Sequence, residues 1–132
     1  MHGFHNTDGE AGAAYFGFRQ AEQEIFRPAD PAAFDHRFGD TFWPGDGDWW
    51  SFLDNLDVLV YPSAVHTAVH TGAELANAIW RMPNLEQVDF IGHSLGCRVV
   101  LETLLALRQR AVPMVRRVAL MAAAVPSEML EP

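Results

Sequence analysis

The sequence contains no lysine and a single cysteine, Cys97. One thiol excludes an intrachain disulfide and any cysteine-based metal cluster. All nine basic residues are arginine, set against 17 Asp and Glu for a formal net charge of −8. No basic stripe is available to neutralise phosphates, which argues against a nucleic-acid partner. No apolar run approaches the ~20 residues that span a bilayer. The first residues, MHGFHNTDGE, have neither the basic segment nor the apolar run of a signal peptide. These absences lead to the expectation of a cytoplasmic protein with no membrane-spanning segment.

The residues that are present describe one folded domain over 1–132. Half of the 132 residues are hydrophobic, including nine Phe, four Trp and two Tyr, so the chain can bury a core. Charge is uneven: residues 1–57 hold 11 acids and 3 Arg (net −8), and residues 58–132 hold 6 of each (net 0). The acidic front half reads as a solvated surface.

Periodicity predicts a helix over 10–26, a short strand at Thr41–Trp43 stopped by Pro44-Gly45-Asp46-Gly47, and a strand over 56–61 (LDVLVY). Ser63 is a candidate N-cap for a helix over 64–81, with Val65, Val69, Ala73, Ala76 and Trp80 on its apolar face. A strand at Val88–Ile91, an almost wholly apolar helix from Ser94 to about Arg110, and a strand at Val118–Met121 complete the reading. Helices alternating with short apolar strands point to an α/β fold with a mostly parallel sheet flanked by helices.

The stretch that carries chemistry is Gly92-His93-Ser94-Leu95-Gly96, with a strand before it and a helix after it. Small residues two positions either side of a serine permit a sharp strand-to-helix turn that lifts the hydroxyl clear of the sheet. Such a turn also aims the first amides of the helix at a developing oxyanion. The alternative is an ordinary glycine-containing turn in which Ser94 caps the helix.

This motif, in this context, resembles the nucleophile elbow of serine hydrolases of the α/β-hydrolase fold, of the esterase and lipase kind. His2-Gly3-Phe4 resembles the His-Gly-aromatic loop after the third strand in those enzymes, and Phe42-Trp43-Pro44-Gly45 resembles a strand-end segment of a bacterial branch of the fold. The resemblance implies Ser94 as nucleophile and the backbone N–H groups of Leu95 and Phe4 as the oxyanion hole. It implies hydrolysis of a small-molecule acyl substrate through a serine ester, with no cofactor and no metal.

The family pattern then breaks. Its order is Ser, then Asp or Glu, then His, yet no His and no Asp follows Ser94; only Glu102, Glu128 and Glu131 do. Glu102 lies within the helix, His93 diverges from its neighbour on such a turn, and His5 reads as a loop residue. The triad acid and histidine are therefore unassigned. The resemblance implies a partial α/β-hydrolase core, running from after the third strand to after the sixth. A non-catalytic relic or binding module that keeps the turn for packing is the alternative.

Other candidates are weaker. His66, His70 and Glu74 share one helix face, but Thr67 stands where a zinc-protease motif needs Glu, so a solvated polar face is the better reading. Asp46 and Asp48 supply too few oxygens for a calcium loop. Trp43, Trp49 and Trp50 fit an acyl pocket or core packing equally well. Cys97 reads as a small buried hydrophobe.

Overall fold

The computed structural model describes residues 1, 8–21, 23–24, 39–41, 57–108, 110 and 113–129. Their elements are α1 (Asp8–Ala21), α2 (Asp57–Trp80), β1 (Gln87–His93), α3 (Gly96–Leu107) and β2 (Met114–Met121), followed by a single 3-10 turn at Ser127–Met129. Helices packed on a small parallel sheet make the architecture mixed α/β.

β1 and β2 pair in parallel, from Gln87 opposite Met114 to His93 opposite Met121. The register slips once, between Val88 and Asp89, so that Val88 faces Val115 while Asp89 faces Arg117. Arg116 is the extra residue of this bulge. Its guanidinium grips the Asp89 carboxylate through two bonds, 3.0 Å and 2.5 Å, and holds the Asp89 pKa below its ordinary value.

α3 returns across one face of the sheet and is itself covered by α2. Ala64 and Ala68 meet Leu95 and Val99 at one end, while Ala76 and Ile79 meet Phe90, Val100 and Leu107 at the other. The two helices therefore run in the same direction. Their contact is close because small residues line it: Ala64, Ala68, Gly72 and Ala76 recur every fourth residue along α2. A Cβ at Gly72 would stand 2.5 Å from Glu102 Cβ and 3.0 Å from Thr103 N. Thr103, buried at this crossing, is satisfied within α3 by donating its hydroxyl to Val99 O at 2.7 Å.

Three expectations are corrected here. The strand predicted over 56–61 does not form, and residues 57–61 are the opening turns of α2. A run as short as Val58–Tyr61 suits either state, and its continuity with the helix decides it. Pro62 is accommodated near that start, and Ser63 lies inside the helix, where its carbonyl accepts the Thr67 hydroxyl at 3.0 Å, so it is no N-cap. The buried face of α2 is also rotated from the one expected: Ala76 is buried, but Val69 is 38% exposed, Trp80 is 53% exposed and Ala73 is exposed. Close backbone approach selected the small residues over the bulky ones.

Elsewhere boundaries shift. The predicted helix over 10–26 is α1, ending at Ala21; β2 begins at Met114 rather than Val118; and α3 starts at Gly96 rather than Ser94. α1 is tied to Asp40 and Thr41 by Arg19 (2.7 Å) and by the Tyr15 hydroxyl (2.8 Å). Of the strand predicted at Thr41–Trp43, Thr41 has no regular structure, and Phe42 and Trp43 lie outside the described residues.

Two kinds of outcome are expected, one from packing and one from acid. Gly72→Ala should destabilise by about 1–3 kcal/mol in urea unfolding, as overpacking does. Gly12→Ala, where nothing lies within 4 Å, should stabilise by about 0.5–1 kcal/mol through helix propensity. The second outcome concerns acid. Because the folded pKa of Asp89 is depressed, its contribution is present above the ordinary carboxylate value of 3.8 and fades as pH falls through the depressed value. Asp89→Asn should therefore cost up to about 1 kcal/mol near pH 7 and progressively less as pH falls below 3.8, measured by thermal unfolding of both proteins.

Candidate active site

β1 and α3 are joined by two residues, Ser94 and Leu95. So short a reversal needs a residue outside the usual backbone regions, and Ser94 supplies it at φ 51°. For a non-glycine residue this left-handed conformation costs roughly 1–2 kcal/mol, and it persists where surrounding structure over-determines it. The surroundings here are tight. A Cβ at Gly92 would lie 3.0 Å from Cys97 Cα, 3.0 Å from Val100 Cγ2 and 3.1 Å from Cys97 N. Glycine at 92 therefore lets α3 start directly against the end of β1. Gly96, the first residue of α3, is buried.

The backbone of Ser94 is held from both sides. Its N–H donates to Met121 O at 2.8 Å, and its carbonyl accepts from Cys97 N at 3.0 Å and Ala124 N at 3.2 Å. Its side chain is half-buried. Ser94 does not cap the helix: the N-cap is Leu95, and no side chain makes a capping bond. Among the described residues, no backbone carbonyl accepts a hydrogen bond from Leu95 N–H, while the Leu95 side chain is fully buried in a cluster with Ala64, Ala68 and Val99. Cys97 is buried one turn along; its thiol donates weakly to Met121 O at 3.5 Å, and burial pushes its pKa up.

Met1 lies at the other edge of β1. Its ammonium donates to Ile91 O at 2.8 Å and its carbonyl accepts from His93 N at 3.2 Å. These two bonds flank Gly92 in the pattern of a parallel ladder, so residue 1 occupies a third-strand position beside the elbow. Burial lowers the pKa of that ammonium. His2, Gly3, Phe4 and His5 follow it directly in the chain but lie outside the described residues. So do Trp43, Asp46, Asp48, Trp49, Trp50 and Glu131.

Among the described residues, no hydrogen bond or ion pair joins the remaining candidates to Ser94. His93 is exposed at the end of β1. Glu102 is bound on α3 by Arg98 Nε at 2.8 Å. Glu128 is exposed in the terminal 3-10 turn. His66, His70 and Glu74 are exposed on α2, and among the described residues no three side chains group to hold a metal ion. No helix of the described residues is long and apolar enough to cross a membrane.

A family model described as Protein of unknown function (DUF726) matches residues 49–131, more than half of the chain. The chain belongs to that family. The matched span holds α2, β1, α3 and β2, so the strained turn lies inside the family's own domain and α1 precedes it. No curated protein and no solved structure matches the chain.

Sequence reasoning located Ser94 but missed the backbone that clamps it. The only trace of that clamp is Met121-Ala122-Ala123-Ala124 at the end of β2, whose second residue is also left-handed, at φ 47°. Ser94→Gly should raise stability by about 0.5–1 kcal/mol, because glycine adopts positive φ without steric cost. Ser94→Ala should leave the strain and the stability close to wild type, and thermal unfolding of the three proteins checks both.

Proposed function

We propose that the protein is a serine hydrolase with a partial α/β-hydrolase core, acting on carboxylic esters or related acyl compounds through Ser94. The observation that carries this reading is the backbone of Ser94: left-handed, between a parallel strand and a helix, and free of any capping role. A glycine-flanked serine that merely capped α3 would adopt a relaxed conformation and bond to the helix amides. Strain retained at an uncapped serine is the form a nucleophile elbow takes.

In this reading Ser94 Oγ attacks the acyl carbon, and the carbonyl oxygen becomes an oxyanion. Leu95 N–H, lacking a backbone acceptor among the described residues, donates one hydrogen bond to it, and the N-terminal end of α3 adds its positive dipole. Phe4 N–H is the proposed second donor. Met1, anchored beside Gly92, starts the segment that leads to it. The oxyanion collapses as the bond to the alcohol leaving group breaks, the alcohol departing with the proton that a general base took from Ser94 Oγ. Water then attacks the serine ester, releasing the carboxylic acid and restoring the serine hydroxyl. The general base and its acid come from outside the described residues.

The second reading is a binding or relic module in which the turn serves packing alone. Labelling separates the two. The natural full-length gene product should react with a fluorophosphonate probe, and Ser94→Ala should abolish the reaction. No labelling of the wild type, or labelling that survives the substitution, would reject Ser94 as the nucleophile.

A further inference from the structure

Three residues of the described chain have positive φ without being glycine: Asn84, Ser94 and Ala122. Asn84 lies in the turn between α2 and β1, where Asn tolerates that conformation. The other two are bonded to each other's surroundings. Met121, directly before Ala122, accepts the Ser94 N–H at 2.8 Å, and Ala124, two residues after it, donates to the Ser94 carbonyl at 3.2 Å. One short segment therefore holds both sides of Ser94.

Geometry makes the two left-handed residues interdependent. An extended parallel strand would present the carbonyl at 121 and the N–H at 123 to one residue. Here the N–H is that of Ala124, so the chain turns aside to accommodate one extra residue between them. Ala122, at φ 47°, makes that turn. The far side is anchored as well, because Ala124 packs against the cluster formed by Ala64, Ala68, Leu95 and Val99. The turn is thus pinned to the helix layer at one end and to β2 at the other, with Ser94 between.

We propose that Ala122 is a positioning residue for Ser94: its left-handed turn sets the Met121–Ala124 clamp that keeps the serine in its strained conformation. This rests on the reading of Ser94 as nucleophile. Alanine suits the role because its Cβ limits the alternatives open to glycine, while a β-branched residue is excluded from positive φ. Displacing the clamp would let Ser94 relax and move its hydroxyl relative to Leu95 N–H.

The test compares wild type, Ala122→Gly and Ala122→Val in the full-length product. Amide hydrogen exchange at Ser94 and Ala124 reads the clamp. The maximal rate of fluorophosphonate labelling, and the probe concentration giving half that rate, read the chemistry. The valine variant should exchange both amides faster and lose about 10- to 100-fold in maximal labelling rate, the scale of an ångström-size displacement, with the half-maximal concentration unchanged. The glycine variant should retain protection and labelling. If the valine variant does not fold, lactate in place of Ala124 deletes the single N–H donor and should give faster exchange at Ser94 with the same loss of maximal labelling rate. Faster exchange with an unchanged labelling rate, or unchanged exchange in a folded valine variant, overturns the proposal. A wild type that never labels removes the hydrolase reading instead, and the exchange data still decide whether the clamp exists.

Discussion

The contact between Gly92 and the backbone of Cys97 is the constraint on which the rest depends. With no side chain at 92, α3 begins within van der Waals reach of the strand it follows. Only Ser94 and Leu95 remain to reverse the chain. A reversal that short cannot be made from relaxed conformations, so one residue takes positive φ, and Ser94 is that residue. The same close approach buries Leu95 and Cys97, and Leu95, as the N-cap of α3, has an amide with no acceptor within the helix. Packing and site geometry thus share one cause.

α3 is held by the same device on its other side. Gly72 admits the backbone of Glu102 and Thr103, as Gly92 admits that of Cys97. Alanines at 64, 68 and 76 extend the seam in both directions. Close backbone approach brings many atoms into dispersion contact at once, which compensates for the small area each alanine buries. Because α2 and α3 run in the same direction, their N-terminal halves meet at the Ser94 end and their C-terminal ends at the opposite pole. There Arg110 donates to Ala76 O at 3.3 Å and to Asn77 Oδ1 at 2.6 Å, and lies 5.2 Å from the centre of the Trp80 ring. A cation at this position satisfies terminal carbonyls and complements the helix dipole.

The sheet contributes order by a different means. Parallel pairing places the C-terminal ends of β1 and β2 side by side, which brings Met121 to Ser94 and continues β2 into the clamp. The bulge at Arg116 adds one residue near the start of β2 and supplies the guanidinium that binds Asp89. Met1 pairs on the opposite edge at the level of Gly92. The turn carrying Ser94 is therefore flanked on both sides by chain segments bonded to β1 or to Ser94 itself.

The sequence alone determined that helices accompany a parallel pair of strands, and the position of the strand–turn–helix unit around Ser94. Apolar periodicity and a Gly-x-Ser-x-Gly spacing are local signals, and both survive folding. It did not determine the state of residues 57–61, because a short apolar run carries no period long enough to separate strand from helix. Nor did it reveal which face of α2 is buried. Hydrophobicity pointed to Val69 and Trp80, whereas tertiary packing chose Ala64, Ala68 and Gly72, because the closest approach of two backbones favours the smallest side chains. The pairing of Ser94 with Ala122 was beyond local reading altogether. Two hydrogen bonds join residues far apart in the chain, and only the parallel register of β1 and β2 brings them together.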